Sequence, residues 1–86
     1  MIEGVTKSGF EFHIKDEVLD NMELVDAIAE LDTNPTAISS VTRLLLGDQK
    51  EVLYDHLRTK DGRVPIGAVS NAVTEMMAAG GKPAKN

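Results

Sequence analysis

The two side chains best suited to move a proton near neutral pH are those of His13 and His56, the only histidines in the chain. His13 lies between charged neighbours on the polar side of a predicted strand. His56 follows Asp55 on a predicted helix, where adjacent side chains diverge by about 100° and cannot form a catalytic dyad. An HExxH zinc-binding motif is absent from the sequence. We therefore predict that neither histidine is catalytic, and that His56 is a partly exposed helix residue with a local hydrogen bond.

Carboxylates are the second group of side chains that could do chemistry, and they are concentrated in residues 16–32. This segment has no Lys or Arg and contains Asp16, Glu17, Asp20, Glu23, Asp26, Glu30 and Asp32. Its charge of −7 compares with −5 for the whole chain, so the remaining residues carry +2. The spacing follows a helix surface and fits neither an EF-hand nor the facing carboxylates of a glycosidase. We interpret the segment as a solvated helix face that repels nucleic acid and accepts a basic or charge-mixed protein partner.

Motifs for nucleophilic catalysis and phosphate binding are missing from the sequence. Ser39 and Ser40 lie inside a predicted helix without a nucleophile elbow, and Gly80-Gly81-Lys82 does not complete a P-loop. The chain has no cysteine, which excludes disulfides and thiolate ligands and fits a reducing compartment. These patterns predict a protein that is not an enzyme and that has no metal or cofactor.

The first fifteen residues are typical of a β-hairpin that would start the fold. Phe10, Phe12 and Ile14 alternate with polar residues, which is the period of a half-buried strand. A preceding strand over 2–6 is connected to them by Lys7-Ser8-Gly9, where Gly9 supplies the positive φ that a tight turn needs.

Helical periodicity dominates the rest of the chain. After a short turn at 17–19, helices are predicted from Met22 to Leu31, Pro35 to Leu46, Gln49 to Arg58 and Pro65 to Ala79. The first helix is capped by Asp20 or Asn21, the second by Asn34, and the third by Asp48, with Glu51 in a capping box. Gly47 is the predicted stop of the second helix and Gly80-Gly81 that of the last. The fold class is therefore mainly α, a small helical domain of about four helices with an N-terminal β-hairpin over 1–15. The domain is predicted to cover 1–81, with a flexible tail at 82–86.

Apolar side chains on these helices supply both the core and candidate contacts for a partner. Predicted buried lines are Leu24, Ile28, Leu31 and Val25, then Val52, Leu53 and Leu57, and finally Ile66, Val69, Val73, Met76 and Met77. The helix over 35–46 has Arg43 as its one charged residue, so it lies centrally in the core or offers an apolar surface. Candidate protein-binding residues are Ile38, Val41, Leu45, Met76 and Met77, although such stripes are more often core than interface.

Two further classes of protein are disfavoured by the sequence. The chain starts without the basic and apolar regions of a signal peptide and has no run of about 18 apolar residues, so neither export nor a membrane span is expected. A helix-turn-helix interpretation of 48–79 fails because its second helix has one charged residue, Glu75, and no Lys or Arg to hold phosphates.

One central stretch resembles a known family. The run from Tyr54 to Pro65, YDHLRTKDGRVP, follows an acidic helix and a hairpin with the sequence Ser8-Gly9-Phe10-Glu11-Phe12. This arrangement resembles the tail assembly chaperones of long-tailed, siphovirus-type bacteriophages and prophages of Gram-positive bacteria, over about residues 4–80.

The resemblance implies a protein that binds the tape measure protein, keeps it soluble and promotes assembly of the tail tube. It also implies action in the host cytoplasm, absence from the mature virion, and a longer frameshifted form that recruits the tail tube protein. The acidic flank would steer the complex to basic client segments, and a homo-oligomer is compatible with the sequence. Arg58, Asp61 and Arg63 are predicted to fix the turn before the last helix. The alternative function is an acidic adaptor or inhibitor that binds one basic phage or host protein.

Overall fold

The computed structural model describes residues 1–80 as a two-stranded hairpin followed by five helices. The elements are β1 (Ile2–Val5), β2 (Glu11–Ile14), α1 (Asp16–Leu19), α2 (Met22–Glu30), α3 (Ala37–Leu46), α4 (Gln49–Leu57) and α5 (Ile66–Gly80). The predicted fold class, a mainly helical domain with an N-terminal hairpin, is confirmed. The predicted tail at 82–86 and the Gly81 part of the predicted helix stop lie outside the described residues. Within residues 1–80, no helix combines the length and the apolar composition that a membrane span requires.

The hairpin forms as the alternating pattern predicts. β1 and β2 pair antiparallel, with Gly4 opposite Phe12, and Gly9 closes the turn with a φ of 96°. The buried Thr6 fixes the turn because its hydroxyl oxygen accepts the Phe10 N–H at 3.1 Å. The Phe12 ring lies so close to Gly4 that a Cβ atom on residue 4 would be 2.8 Å from the Cζ atom of Phe12. This close approach requires glycine at position 4.

The core lies where the inner face of the hairpin meets α2 to α5. Its buried apolar residues are Phe10, Phe12, Ile14, Leu24, Ala27, Val41, Leu45, Leu46, Leu53, Val69, Ala72, Val73 and Met76. Thr42 of α3 is completely buried, and its hydroxyl donates to the Ile38 carbonyl oxygen at 2.6 Å within the helix. That bond removes the cost of burying an unpaired hydroxyl.

The predicted helix starts are confirmed at α2 and α4, which begin at Met22 and Gln49, and the start of α3 differs. The Asn21 side chain caps α2 by accepting the Glu23 N–H at 3.0 Å. α3 begins at Ala37, two residues later than predicted, because Asn34 to Ala37 forms a tight turn closed by the Ala37 N–H and the Asn34 carbonyl oxygen at 2.9 Å. The predicted capping box at Asp48 is wrong. The Asp48 backbone is already helical, with φ −64° and ψ −25°, and its side chain caps no N–H.

Three residues predicted to be buried are exposed. Val25 is 47%, Val52 59% and Ile66 69% exposed. Val52 directly precedes Leu53, and because neighbouring side chains on a helix diverge by about 100°, burial of Leu53 turns Val52 outward. α4 also ends at Leu57, one residue earlier than predicted.

Gly47 sets the corner between α3 and α4 and provides a test of the fold. Its φ of 55° and ψ of −121° lie in a region that favours glycine, so we expect Gly47→Ala to lower the free energy of unfolding by about 1–3 kcal/mol. Gly67 is the matched control because it is helical and a Cβ there would meet no atom within 4 Å. Gly67→Ala should raise the free energy of unfolding by about 0.4–1 kcal/mol. Urea unfolding of both variants measures the difference, and equal effects would contradict the assigned corner.

Candidate protein-docking site

The five residues predicted to contact a client divide into two groups. Val41, Leu45 and Met76 lie in the core with at most 2% of their surface exposed. Ile38 and Met77 are half-buried at the margin of that core. A partner can reach Ile38 and Met77 in this fold, whereas contact with the other three would require the core to open.

Ile38 lines an open groove of about 270 Å³ at the place where the starts of α3 and α5 meet α4. The groove is lined by Ile38, Tyr54, Val64, Ile66 and Val69, together with Thr36 and Ser39. Five of these seven residues are apolar or aromatic and none is charged. Ile66 is its exposed apolar side chain, Ile38, Tyr54 and Val64 are half-buried, and Val69 forms its buried floor. We call it the apolar groove.

The α3–α4 corner positions the α4 side of the apolar groove. The Gly47 N–H donates to the Arg43 carbonyl oxygen at 2.9 Å and the Lys50 N–H to the Gly47 carbonyl oxygen at 3.1 Å, so α4 starts directly after α3 ends. α4 then packs against both α3 and α5. The Lys50 ammonium lies 5.5 Å from the centre of the Tyr54 ring, a cation–π contact that helps to fix the ring at the groove.

The turn before α5 positions the other side of the apolar groove. The Thr59 N–H donates to the Arg63 carbonyl oxygen at 2.7 Å, and Gly62 takes a φ of 90° inside this loop. Arg58 donates to the Gly62 carbonyl oxygen at 3.0 Å, and Arg63 pairs with the Asp61 carboxylate at 3.0 Å. The prediction that Arg58, Asp61 and Arg63 fix this turn is confirmed.

Asp61 also gives the turn a predictable dependence on pH. Hydrogen bonds from the Thr59 hydroxyl, and then from Arg63, hold the pKa of the Asp61 carboxyl below its ordinary value. A lowered folded-state pKa adds stability that is complete above the unfolded-state value of about 3.9 and is lost as pH falls through the folded-state value. We therefore expect Asp61→Asn to lower the unfolding midpoint at neutral pH, and the difference from wild type to shrink on acidification. Thermal melts across this range measure it, and a difference independent of pH would refute the account.

The histidines make structural contacts in this fold. His56 Nε2 lies 2.8 Å from the Ser8 carbonyl oxygen and its ring is 6.1 Å from that of Phe10, so α4 is joined to the hairpin turn. The predicted local hydrogen bond is therefore wrong, because the partner is 48 residues away. The His13 backbone N–H donates to the Gln49 carboxamide oxygen at 3.2 Å, and the Gln49 carboxamide nitrogen donates to the His13 carbonyl oxygen at 2.7 Å. These two bonds satisfy the backbone of β2 at this residue on its outer edge.

The seven carboxylates of residues 16–32 are all exposed. One of them has a cationic partner within residues 1–80, namely Asp16, whose carboxylate lies 3.2 Å from the amino-terminal nitrogen of Met1. No group of three His, Cys, Asp or Glu side chains in the same residues is placed to hold a metal ion. The acidic segment is thus a solvated surface, as its spacing predicts.

Most of the apolar groove is not visible in the sequence. Its patterns indicate Ile38 as a candidate contact, place Ile66 in a buried line, and do not single out Tyr54 or Val64 as contacts. A signal was present for Ile66, since it occupies the first position of α5, where a helix can extend past its packing partners. No known protein family, curated protein or solved structure matches the chain.

Proposed function

We propose that this chain is a tail assembly chaperone of a long-tailed bacteriophage or prophage, which binds the tape measure protein and keeps it soluble while the tail tube assembles. The apolar groove carries the proposal, because a chaperone for helical clients needs an open apolar surface. The resemblance of residues 54–65 and the Ser8–Phe12 hairpin to this class supports it separately. The place of action would be the host cytoplasm, and a longer frameshifted form would recruit the tail tube protein.

The chemistry of the apolar groove suits a client with many similar helices. Side chains from α3, α4 and α5 converge there, so one turn of a client helix can insert an apolar residue between Ile38, Tyr54 and Ile66. None of the lining residues is charged, so binding depends on apolar area and tolerates many client sequences. Tolerance is what binding at repeated positions along a tape measure protein requires.

The acidic surface favours the second candidate function, an acidic adaptor or inhibitor. Six of the seven carboxylates in residues 16–32 have no cationic partner within the described part of the chain, and they would attract a basic phage or host protein. The two functions differ in their partner. A chaperone binds several copies along an extended helical client, whereas an inhibitor binds one compact basic target.

Co-expression with the tape measure protein encoded downstream of the gene tests the proposal. We expect the client to move into the soluble fraction and to co-purify with several copies of this chain. The control is the client expressed alone, which should be insoluble. An insoluble client without co-purification would overturn the chaperone function, and a compact basic protein captured at one copy per chain would favour the inhibitor.

A further inference from the structure

Helix α2 has an exposed apolar line that the fold leaves uncovered. α2 packs mainly against α3 and buries Leu24 and Ala27. Met22 and Val25 are 66% and 47% exposed, and Ala29 is also exposed. These three residues recur at positions i, i+3 and i+7, so they lie in one line along the helix. We call this line the α2 strip.

Carboxylates lie along one side of the α2 strip. Glu23, Asp26 and Glu30 have the same spacing as the strip and lie about 100° around the helix from it. Asp26 adjoins the strip, because it follows Met22 by four residues and precedes Ala29 by three. All three are exposed, and their carboxylates have no hydrogen-bond or ion-pair partner within residues 1–80. Arg43 of α3 lines the same shallow pocket as these acids without forming an ion pair with them, so a ligand that covers the apolar line meets three carboxylates and one cation at this margin.

We propose that the α2 strip binds an amphipathic helix of the client whose apolar face is flanked by Lys or Arg. Apolar residues of that helix would cover Met22 and Val25, while its cations would pair with Asp26 and Glu30 in the i, i+4 spacing of both helices. A second copy of this chain fits less well, because residues 16–32 contain no Lys or Arg with which the α2 of one copy could pair with the acids of the other. The inference rests on the proposed function, since it specifies which client segments the chain holds.

A designed peptide tests the inference without the tape measure protein. The probe is a labelled helix of about 18 residues, or five turns, built from Leu on one face and Lys on the other. A peptide of the same pattern with Glu in place of Lys is its control. Fluorescence anisotropy with the full chain should show binding of the Lys peptide, at least about tenfold weaker binding of the Glu peptide, and weakening of the Lys peptide as salt rises.

Matched variants locate the binding site. Asp26→Lys combined with Glu30→Lys should weaken binding of the Lys peptide at least about tenfold at low salt, whereas Glu51→Lys, an exposed acid on α4, should have little effect. Val25→Ser should weaken binding more than Val52→Ser, which changes a somewhat more exposed valine on α4. Equal effects of strip and control variants, or no binding of the Lys peptide, would overturn the inference. Self-association of the chain that Val25→Ser abolishes, without peptide binding, would also overturn it by assigning the strip to a second copy.

The peptide result and the client result can be separated. A client kept soluble by a chain that ignores the Lys peptide would leave the proposed function in place and refute the α2 strip. Peptide binding at the strip without client solubilisation would refute the function and retain the strip.

Discussion

Ile66→Asp is expected to reduce co-purification of the tape measure protein at least about tenfold. The wild-type side chain is 69% exposed in the apolar groove, so burial beneath a client would contribute about 1.5–3 kcal/mol. An aspartate at the same place would add the cost of desolvating a carboxylate without a partner. Folding should not suffer, because position 66 starts α5 and the first turn of that helix has no acidic residue.

Val52→Asp is the matched control for Ile66→Asp. Val52 is 59% exposed, lies in the first half of α4 and does not line the apolar groove. Co-purification should therefore remain at the wild-type level. The unfolding midpoint of both variants, measured by circular dichroism, shows whether each chain is folded. A folded Ile66→Asp variant that retains the client would show that the apolar groove is not the docking site.

Leu53→Ala is expected to lower the free energy of unfolding by about 2–5 kcal/mol. Leu53 is completely buried, and it is the one fully buried residue that α4 contributes to the core. The lost methyl groups would leave a cavity where α4 packs against α3 and α5. A domain of this size is stabilised by only about 5–10 kcal/mol, so this single change could remove a large share of the total.

The adjacent residue provides the control for Leu53→Ala. Val52→Ala changes an exposed side chain and should alter the free energy of unfolding by no more than about 0.5 kcal/mol. Urea unfolding of the two variants measures the contrast. Similar losses at both positions would mean that α4 is rotated relative to this structure.

Local patterns predicted the elements well because each one depends on neighbouring residues. The alternation of Phe10, Phe12 and Ile14 identified β2, and Gly9 identified the turn. The carboxamide of Asn21 was one of two predicted caps for α2, and the structure selects it. Hydrogen bonds that close a turn or cap a helix join residues close in sequence, so spacing can reveal them. It failed at Asp48, whose backbone is already helical and whose side chain caps no N–H.

Features that depend on packing between distant segments could not be predicted in this way. The periodicity of α5 places Ile66 on the same side as Val69 and Val73, but it does not say where along the helix the neighbours stop covering that side. Val52 and Leu53 are equally apolar neighbours, and only the position of α4 between α3 and α5 decides which is buried. The apolar groove combines residues from three separate segments, so it exists only after folding.

Amide chemical shifts of the isotope-labelled full chain, recorded with and without a purified tape measure segment, show directly where the client binds. We expect shift changes at Ile38, Tyr54, Val64 and Ile66 and unchanged core amides at Val41 and Leu53, because the client would bind the apolar groove of a folded domain. No shift change on addition of the client, or changes spread through the core with the apolar groove unaffected, would contradict it.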